Sequence, residues 1–230
     1  VTICYHGTPV TPKAQLYRMT GQNFCVSFAE PRDAEFCEAF GQSVLWDNGA
    51  FSAFTKGRVL DELSLYSWLE PRLRHPHRAV VLDKIGGDVS EQREMTARWP
   101  FSRSLSWPVW HLDKPFDYLD ELIDEWPAGV CLGSAGAYWE IGSESWLARM
   151  DDVFSHVSRK HSNLPWLHGL RMLGHIANYP LASADSTNVA QNYGIATGCA
   201  HCMAKRVNSP KRRRGDIKRE RTVSLFGTVE

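Results

Sequence analysis

Short apolar runs rich in Val, Ile, Leu and aromatic residues recur along the chain, separated by longer stretches in which apolar residues return at helical spacing. Eight runs stand out, at positions 2–5, 24–28, 43–46, 79–82, 107–110, 129–132, 165–167 and 181–184. The segments around 12–20, 32–40, 60–70, 90–98, 116–125, 144–159 and 171–177 read as helices. Phe116, Leu119, Leu122 and Ile123 fall on one helical face, Pro31 precedes a helix, and Asp117 or Ser143 can cap one. Strands alternating with helices in this number predict an α/β fold, a compact (β/α)8 TIM-like barrel rather than an open doubly wound sheet. The 230 residues suit a barrel with few insertions.

The position just past each run sharpens this picture. The runs are followed by His6-Gly7-Thr8, Ala29-Glu30, Asp47-Asn48-Gly49, Asp83, His111, Gly133-Ser134, His168-Gly169 and Asp185-Ser186. In a parallel barrel the C-terminal strand ends converge on one face, where catalytic groups of such folds sit. Polar residues far apart in sequence therefore become neighbours.

Composition and charge narrow the setting. No apolar run approaches the ~18 residues of a membrane span, and the start Val1-Thr2-Ile3-Cys4-Tyr5 lacks a signal-peptide layout. A cytoplasmic protein without membrane partners is expected. The six cysteines are too sparse for a secreted disulfide scaffold. The formal net charge of zero hides an asymmetry: residues 205–221 hold nine Lys/Arg against Asp216 and Glu220, leaving 17 basic and 24 acidic residues elsewhere. The expected organisation is a catalytic barrel over 1–198 and a basic C-terminal segment over 199–230.

Three carboxylates follow three strands. Asp47 opens Asp47-Asn48-Gly49-Ala50-Phe51, where a glycine turn lets backbone N–H groups approach a ligand and Phe51 offers a flat face. Asp83 follows Val80-Val81-Leu82, and Asp185 sits among the small residues of Ala182-Ser183-Ala184-Asp185-Ser186. Each has a plain structural reading as well: a turn for Asp47, helix caps for Asp83 and Asp185. Three at three strand ends weigh more together than singly.

The ordered set Asp47-Asn48-Gly49-Ala50-Phe51, Val81-Leu82-Asp83, Pro108-Val109-Trp110-His111, Cys131-Leu132-Gly133-Ser134-Ala135-Gly136, Trp166-Leu167-His168-Gly169 and Ala184-Asp185-Ser186 resembles the successive active-site segments of the tRNA-guanine transglycosylase superfamily. It is most similar to the short, phage-type 7-deazaguanine DNA transglycosylases, over about residues 44–190. The resemblance implies a base-exchange glycosyltransferase acting by double displacement, with Asp185 as nucleophile and Asp47 as general acid and base. It further implies that Asp83 reads a guanine-type base, that Phe51 and His168 sandwich the ring, and that backbone N–H groups around Gly133 and Ser134 hold its carbonyl oxygen. Asn48, Gly49, His111 and Gly169 complete the implied substrate-binding set.

Departures qualify it. The tRNA enzymes carry Gln where His111 falls and usually Met where His168 falls. Their structural zinc is bound by a Cys-x-Cys-x-x-Cys cluster with a later His, whereas this chain offers Cys199-Ala200-His201-Cys202, at most three ligands where a closed site wants four. Reduced structural cysteines are expected there rather than zinc, and the exchange itself needs no cofactor. The incomplete cluster, in a chain shorter than tRNA-acting relatives, points to DNA, with a free 7-deazaguanine base as the second substrate and tRNA as the alternative polymer.

The run Lys205, Arg206, Lys211, Arg212, Arg213, Arg214, Lys218 and Arg219 is a candidate phosphate-binding arm, and equally reads as a solvated end. Two other functions stay open. Tyr5-His6-Gly7-Thr8 resembles the NAD-contacting start of some ADP-ribosyltransferases. A non-catalytic nucleic-acid-binding barrel would keep the basic run and have no need of three strand-end carboxylates.

Overall fold

The computed structural model describes residues 2–209. Its parallel strands are β1 (Ile3–Gly7), β2 (Asn23–Ser27), β3 (Ser43–Asp47), β4 (Arg78–Val80), β5 (Ser106–Trp107), β6 (Val109–His111), β7 (Val130–Gly133), β8 (Leu167–Gly169) and β9 (Ser183–Ser186). Their order, β5-β4-β3-β2-β1-β9-β8-β7-β6, begins and ends on one stretch of chain. Pro108, which has no N–H to give a ladder, splits that stretch into β5 and β6. Val81 N–H donates to Trp107 O on one side and Cys131 N–H to Pro108 O on the other, at 2.9 and 2.8 Å. The expected eight-strand barrel is therefore present, nearly closed, with its fifth strand broken in two.

The helices are α1 (Lys13–Tyr17), α2 (Ala34–Phe40), α3 (Ala50–Thr55), α4 (Glu62–Leu69), α5 (Val89–Ala97), α6 (Phe116–Glu125), α7 (Glu144–Lys160), α8 (Asn188–Ala196) and α9 (Ala200–Asn208). Ser143 caps α7 through Trp146 N–H. Asp117 is not a cap; it lies in the first turn of α6 behind Pro115. The helix expected over 171–177 is absent: Arg171 takes a left-handed backbone and only a short 3-10 turn, Leu173–His175, follows. α3, α8 and α9 were not among the expected helices.

Two apolar cores result from the period-2 alternation of the strands. Inward-facing Tyr5, Cys25, Leu45, Val80, Trp107, Val109 and Cys131 fill the barrel. Outward-facing Cys4, Phe24, Val26, Val44, Trp46, Ala79, Trp110 and Leu132 pack under the helices. Ala200, Met203 and Ala204 of α9 are buried in that same outer core, so the part of 199–230 that is described packs with the barrel. Among the described residues no helix is long and apolar enough to cross a membrane.

Candidate active site

One inward step beyond the apolar filling, the same alternation sets Ser27, Asp47, His111, Gly133 and Asp185 at the C-terminal mouth of the barrel. The last two strands run two residues later than their apolar runs suggest, so His168 and Asp185, expected just past strands, lie within β8 and β9. Asp47, Asp83 and Asp185 are brought together: the charges of Asp185 and Asp83 both bear on Asp47.

Asp47 ends β3. Gly49, in the left-handed region at φ 78°, turns the chain into α3 and points its N–H at Asp47 Oδ2, 3.1 Å away. A Cβ at Gly49 would also lie 3.1 Å from the backbone of Ala29, so this turn requires glycine. Burial pushes the Asp47 carboxyl up to about 6; the Ser27 hydroxyl and Gly49 N–H pull it down, while the charges of Asp185 and Asp83 push it further up.

Asp83 follows β4 and is buried with Asn48 and His111. The Asn48 amide donates to Val81 O at 2.7 Å and to Asp83 Oδ1 at 2.8 Å, while its own oxygen accepts from Ala50 N–H at 2.8 Å. His111 Nε2 lies 2.8 Å from Asp83 Oδ2. Asn48 thus fixes the start of α3 and one side of Asp83 at once. Gly133 makes room for the imidazole, since a Cβ there would come within 2.8 Å of His111 Nδ1.

Asp185 is held through one oxygen. Oδ1 accepts from Arg171 N–H at 2.9 Å and lies 3.2 Å from His168 Nε2. Arg171 reaches this position only by adopting φ 61°, uncommon for a side chain with a Cβ. Its guanidinium covers Phe51 at 4.0 Å from the ring centroid and Trp139 at 5.4 Å. Phe51 and Trp139 stack at 5.5 Å and 25°. Burial lowers the Arg171 pKa, and the charges of Asp185 and Asp47 oppose that shift.

Some expected site residues stand elsewhere. His168 does not offer a face for a base sandwich: it is fully buried, packed against Trp107 at 5.2 Å with the rings tilted by 30°, and has its edge nitrogens on Asp185 and Ser183. Trp139, not His168, is the ring paired with Phe51. The Ser134 hydroxyl accepts from Trp146 Nε1 at 3.0 Å, a contact that leaves the role expected of the backbone N–H groups around Gly133 and Ser134 untouched. Gly169 serves packing, because a Cβ there would meet Met172 at 2.9 Å and Leu181 at 3.0 Å. His6 is buried and bound through Nε2 to Asn208 at 2.9 Å, and burial lowers its pKa to about 4. It therefore ties β1 to the end of α9.

Lys205 and Arg206 lie on the last turn of α9. Lys211, Arg212, Arg213, Arg214, Lys218 and Arg219 lie outside the described residues. Cys199 Sγ accepts Cys202 N–H at 3.2 Å and so caps α9. No group of three or more His, Cys, Asp or Glu side chains suited to a metal ion occurs among the described residues. Cys199, His201 and Cys202 do not make up the four ligands of a closed zinc site.

Arg171, Trp139, Ser183 and Ser27 are the mouth and floor residues that the sequence pattern missed. Comparison of the chain with protein-family models, with curated proteins and with solved structures finds no match.

Proposed function

We propose that the protein is a base-exchange glycosyltransferase that replaces guanine in DNA with a free 7-deazaguanine through a covalent aspartyl-sugar intermediate. The observation that carries this reading is the pair of unlike carboxylates in one mouth: Asp47, raised to about 6 by burial, and Asp185, whose Oδ1 accepts from Arg171 N–H and lies 3.2 Å from His168 Nε2. Carboxylates whose surroundings differ in this way divide naturally into a proton carrier and a nucleophile.

In the first displacement an Asp185 oxygen attacks the sugar C1′ while the C1′–N9 bond breaks. The electron pair leaves on the base nitrogen, which takes the proton of Asp47. In the second, N9 of the incoming base attacks C1′, its proton returns to Asp47, and the ester bond to Asp185 breaks. Atoms and protons balance, and Asp47 begins and ends protonated, which a raised pKa favours. Asp83 supplies an acceptor for the N1–H and exocyclic amino group of a guanine-type ring, and Phe51 supplies a flat face that a base takes by displacing the Arg171 guanidinium now 4.0 Å from its centroid. The target base must leave the helix stack to reach carboxylates inside a barrel mouth.

The test is release of labelled guanine from duplex DNA, single-stranded DNA and tRNA incubated with candidate deazapurines. Release from DNA dependent on the added base supports the proposal. Release from tRNA alone replaces DNA by the runner-up polymer, and release from none overturns the enzymatic reading in favour of a nucleic-acid-binding barrel.

A further inference from the structure

We propose that Trp166 and Ser183 fix His168 in the tautomer with its proton on Nε2, so that a one-way hydrogen-bond chain positions Asp185 through Oδ1 and leaves Oδ2 to react. The structural half of this inference stands on hydrogen-bond geometry; its kinetic half rests on the base-exchange reading.

The direction follows from the one member that can only donate. An indole N–H has no acceptor role, so Trp166 Nε1 donates to Ser183 Oγ, 3.3 Å away. Ser183 is fully buried, and its own O–H needs an acceptor. His168 Nδ1, at 2.8 Å, is the one in reach among the described residues. With a proton on Nδ1, Ser183 Oγ would accept both hydrogens on its two lone pairs and its own O–H would be left without an acceptor, a cost of about 1–3 kcal/mol. Nδ1 therefore accepts, Nε2 carries the hydrogen, and that hydrogen points at Asp185 Oδ1, 3.2 Å from Nε2.

The imidazole has little freedom to leave this arrangement. Trp107 lies against its face at 5.2 Å and 30°, and Tyr5 meets it at 5.8 Å and 72°. Trp166 is itself seated over Gly129, whose φ of 130° and missing side chain are required: a Cβ would fall 2.7 Å from Trp166 O. Arg171 N–H is the second donor, and it too meets Oδ1, at 2.9 Å. With both donors on one oxygen, the other is directed to the mouth. His168, Ser183 and Trp166 are thus positioning residues that touch no reacting atom.

Imidazole-15N NMR of the full chain tests this without any substrate, the His168 resonances being assigned by their loss in His168→Gln. The expected result is a hydrogen on Nε2 and none on Nδ1. Ser183→Ala should turn this into a tautomer mixture, and Trp166→Phe should loosen it while sparing the serine. In the exchange assay Ser183→Ala should lower kcat about tenfold, the worth of one ordinary hydrogen bond, with KM unchanged. Ser183→Thr, which keeps the hydroxyl, should restore it. A wild-type His168 protonated on Nδ1, or an Ser183→Ala protein with an unaltered tautomer, overturns the chain. An unaltered tautomer chain in a protein that exchanges no base supports the chain and removes the functional reading alone.

Discussion

Two regions of the molecule hold their aspartates in different ways. Asp120, on α6 outside the barrel, is surrounded by bases: His156 Nε2 at 2.9 Å, Lys160 Nζ at 2.7 Å and His161 Nε2 at 3.4 Å. At the mouth, Asp185 has a backbone N–H and an imidazole, Asp83 an amide and an imidazole, and Asp47 the N–H of Gly49. The nearby guanidinium of Arg171 lies on Phe51 rather than on a carboxylate. A buried anion whose charge is answered by a cation ties elements together, here α6 to α7. One with no lysine or arginine on it leaves its charge less fully answered inside the fold, at a cost in stability, and open to an incoming group. The contrast distinguishes Asp120 from the mouth aspartates more firmly than burial does, since Asp120 and Asp185 are 4% and 7% exposed; Asp33, buried on a single backbone donor from Val10, stands alone and shares neither the mouth nor its neighbouring carboxylates.

The sharpest way to break this contrast is to delete one carboxylate from each region. Asp185→Ala should abolish guanine release, by about 10⁴-fold or more, as expected for a lost nucleophile. Asp120→Ala should leave kcat within about twofold of the parent, as expected for a residue remote from the chemistry. Rapid quenching and intact-mass analysis should find a sugar adduct on the Asp120 variant and none on the Asp185 variant. Equal activities for Asp185→Ala and the parent would end the nucleophile assignment.

Asp47 gives the next largest effect and a sign that can be worked out. Exchange as written begins with Asp47 protonated, so kcat/KM should fall as pH rises through about 6, the value to which burial pushes this carboxyl. Asp47→Asn should cost about 10²–10⁴-fold and remove that limb from the profile. Stability has a matching sign. A folded pKa above the unfolded value means the contribution is complete below about pH 4 and is lost as pH rises through about 6. Asp47→Asn should therefore stabilise the fold above pH 6, by roughly 1–2 kcal/mol in denaturant titrations, and do little at pH 4. A mutant that is inactive yet no more stable than the parent at pH 8 would mean that Asp47 is not held under this strain.

Asp83 sharpens the comparison within the mouth. Its carboxylate already has Asn48 and His111, with acceptor capacity left on each oxygen. Asp83→Asn should lower the preference for guanine-type over adenine-type bases by about 10–100-fold, because an amide presents a donor where the ring does too. The measurement is the ratio of kcat/KM for the two bases. An unchanged ratio would leave Asp83 with a purely structural part in the Asn48–His111 network.

How far this was legible in the sequence depends on what each feature needs. The barrel was legible because short apolar runs between helical stretches, each followed by a polar residue, are local patterns, whereas the inward phase of Asp47 and Asp185 is visible only in the strands themselves. Trp139 was missed because nothing local pairs a residue of the β7–α7 connection with Phe51. The stacking role expected of His168 fails because its orientation is set by register: it pairs with Ser183 across β8 and β9, which places the hydroxyl against the Nδ1 edge of the ring. Arg171 was read as the start of a helix, since its left-handed backbone is selected by the hydrogen bond to Asp185 and not by its own residue type. α3 was hidden by Asp47-Asn48-Gly49, a turn signal that here also starts a helix.

The smallest expected effect tests the other arm of the comparison, the cation-matched aspartate. Burial by itself would raise Asp120, but the bonds from Lys160, His156 and His161 outweigh it and hold the carboxyl below its ordinary value. A depressed folded pKa contributes stability that is present above about pH 4, the unfolded value, and is lost as pH falls through the folded one. Lys160 is half exposed and regains water when its partner is removed, which limits the penalty. Asp120→Asn should therefore cost about 1–2 kcal/mol at pH 7 and progressively less as the pH falls below 4, with exchange unaltered. The same substitution should free His156, now stacked on Phe116 at 4.5 Å and 8°, which a change in its ring-proton shifts would report. If Asp120→Asn instead stabilised the protein at pH 7, as expected for Asp47→Asn, the two regions would differ in location only and their division into structural and functional carboxylates would fail.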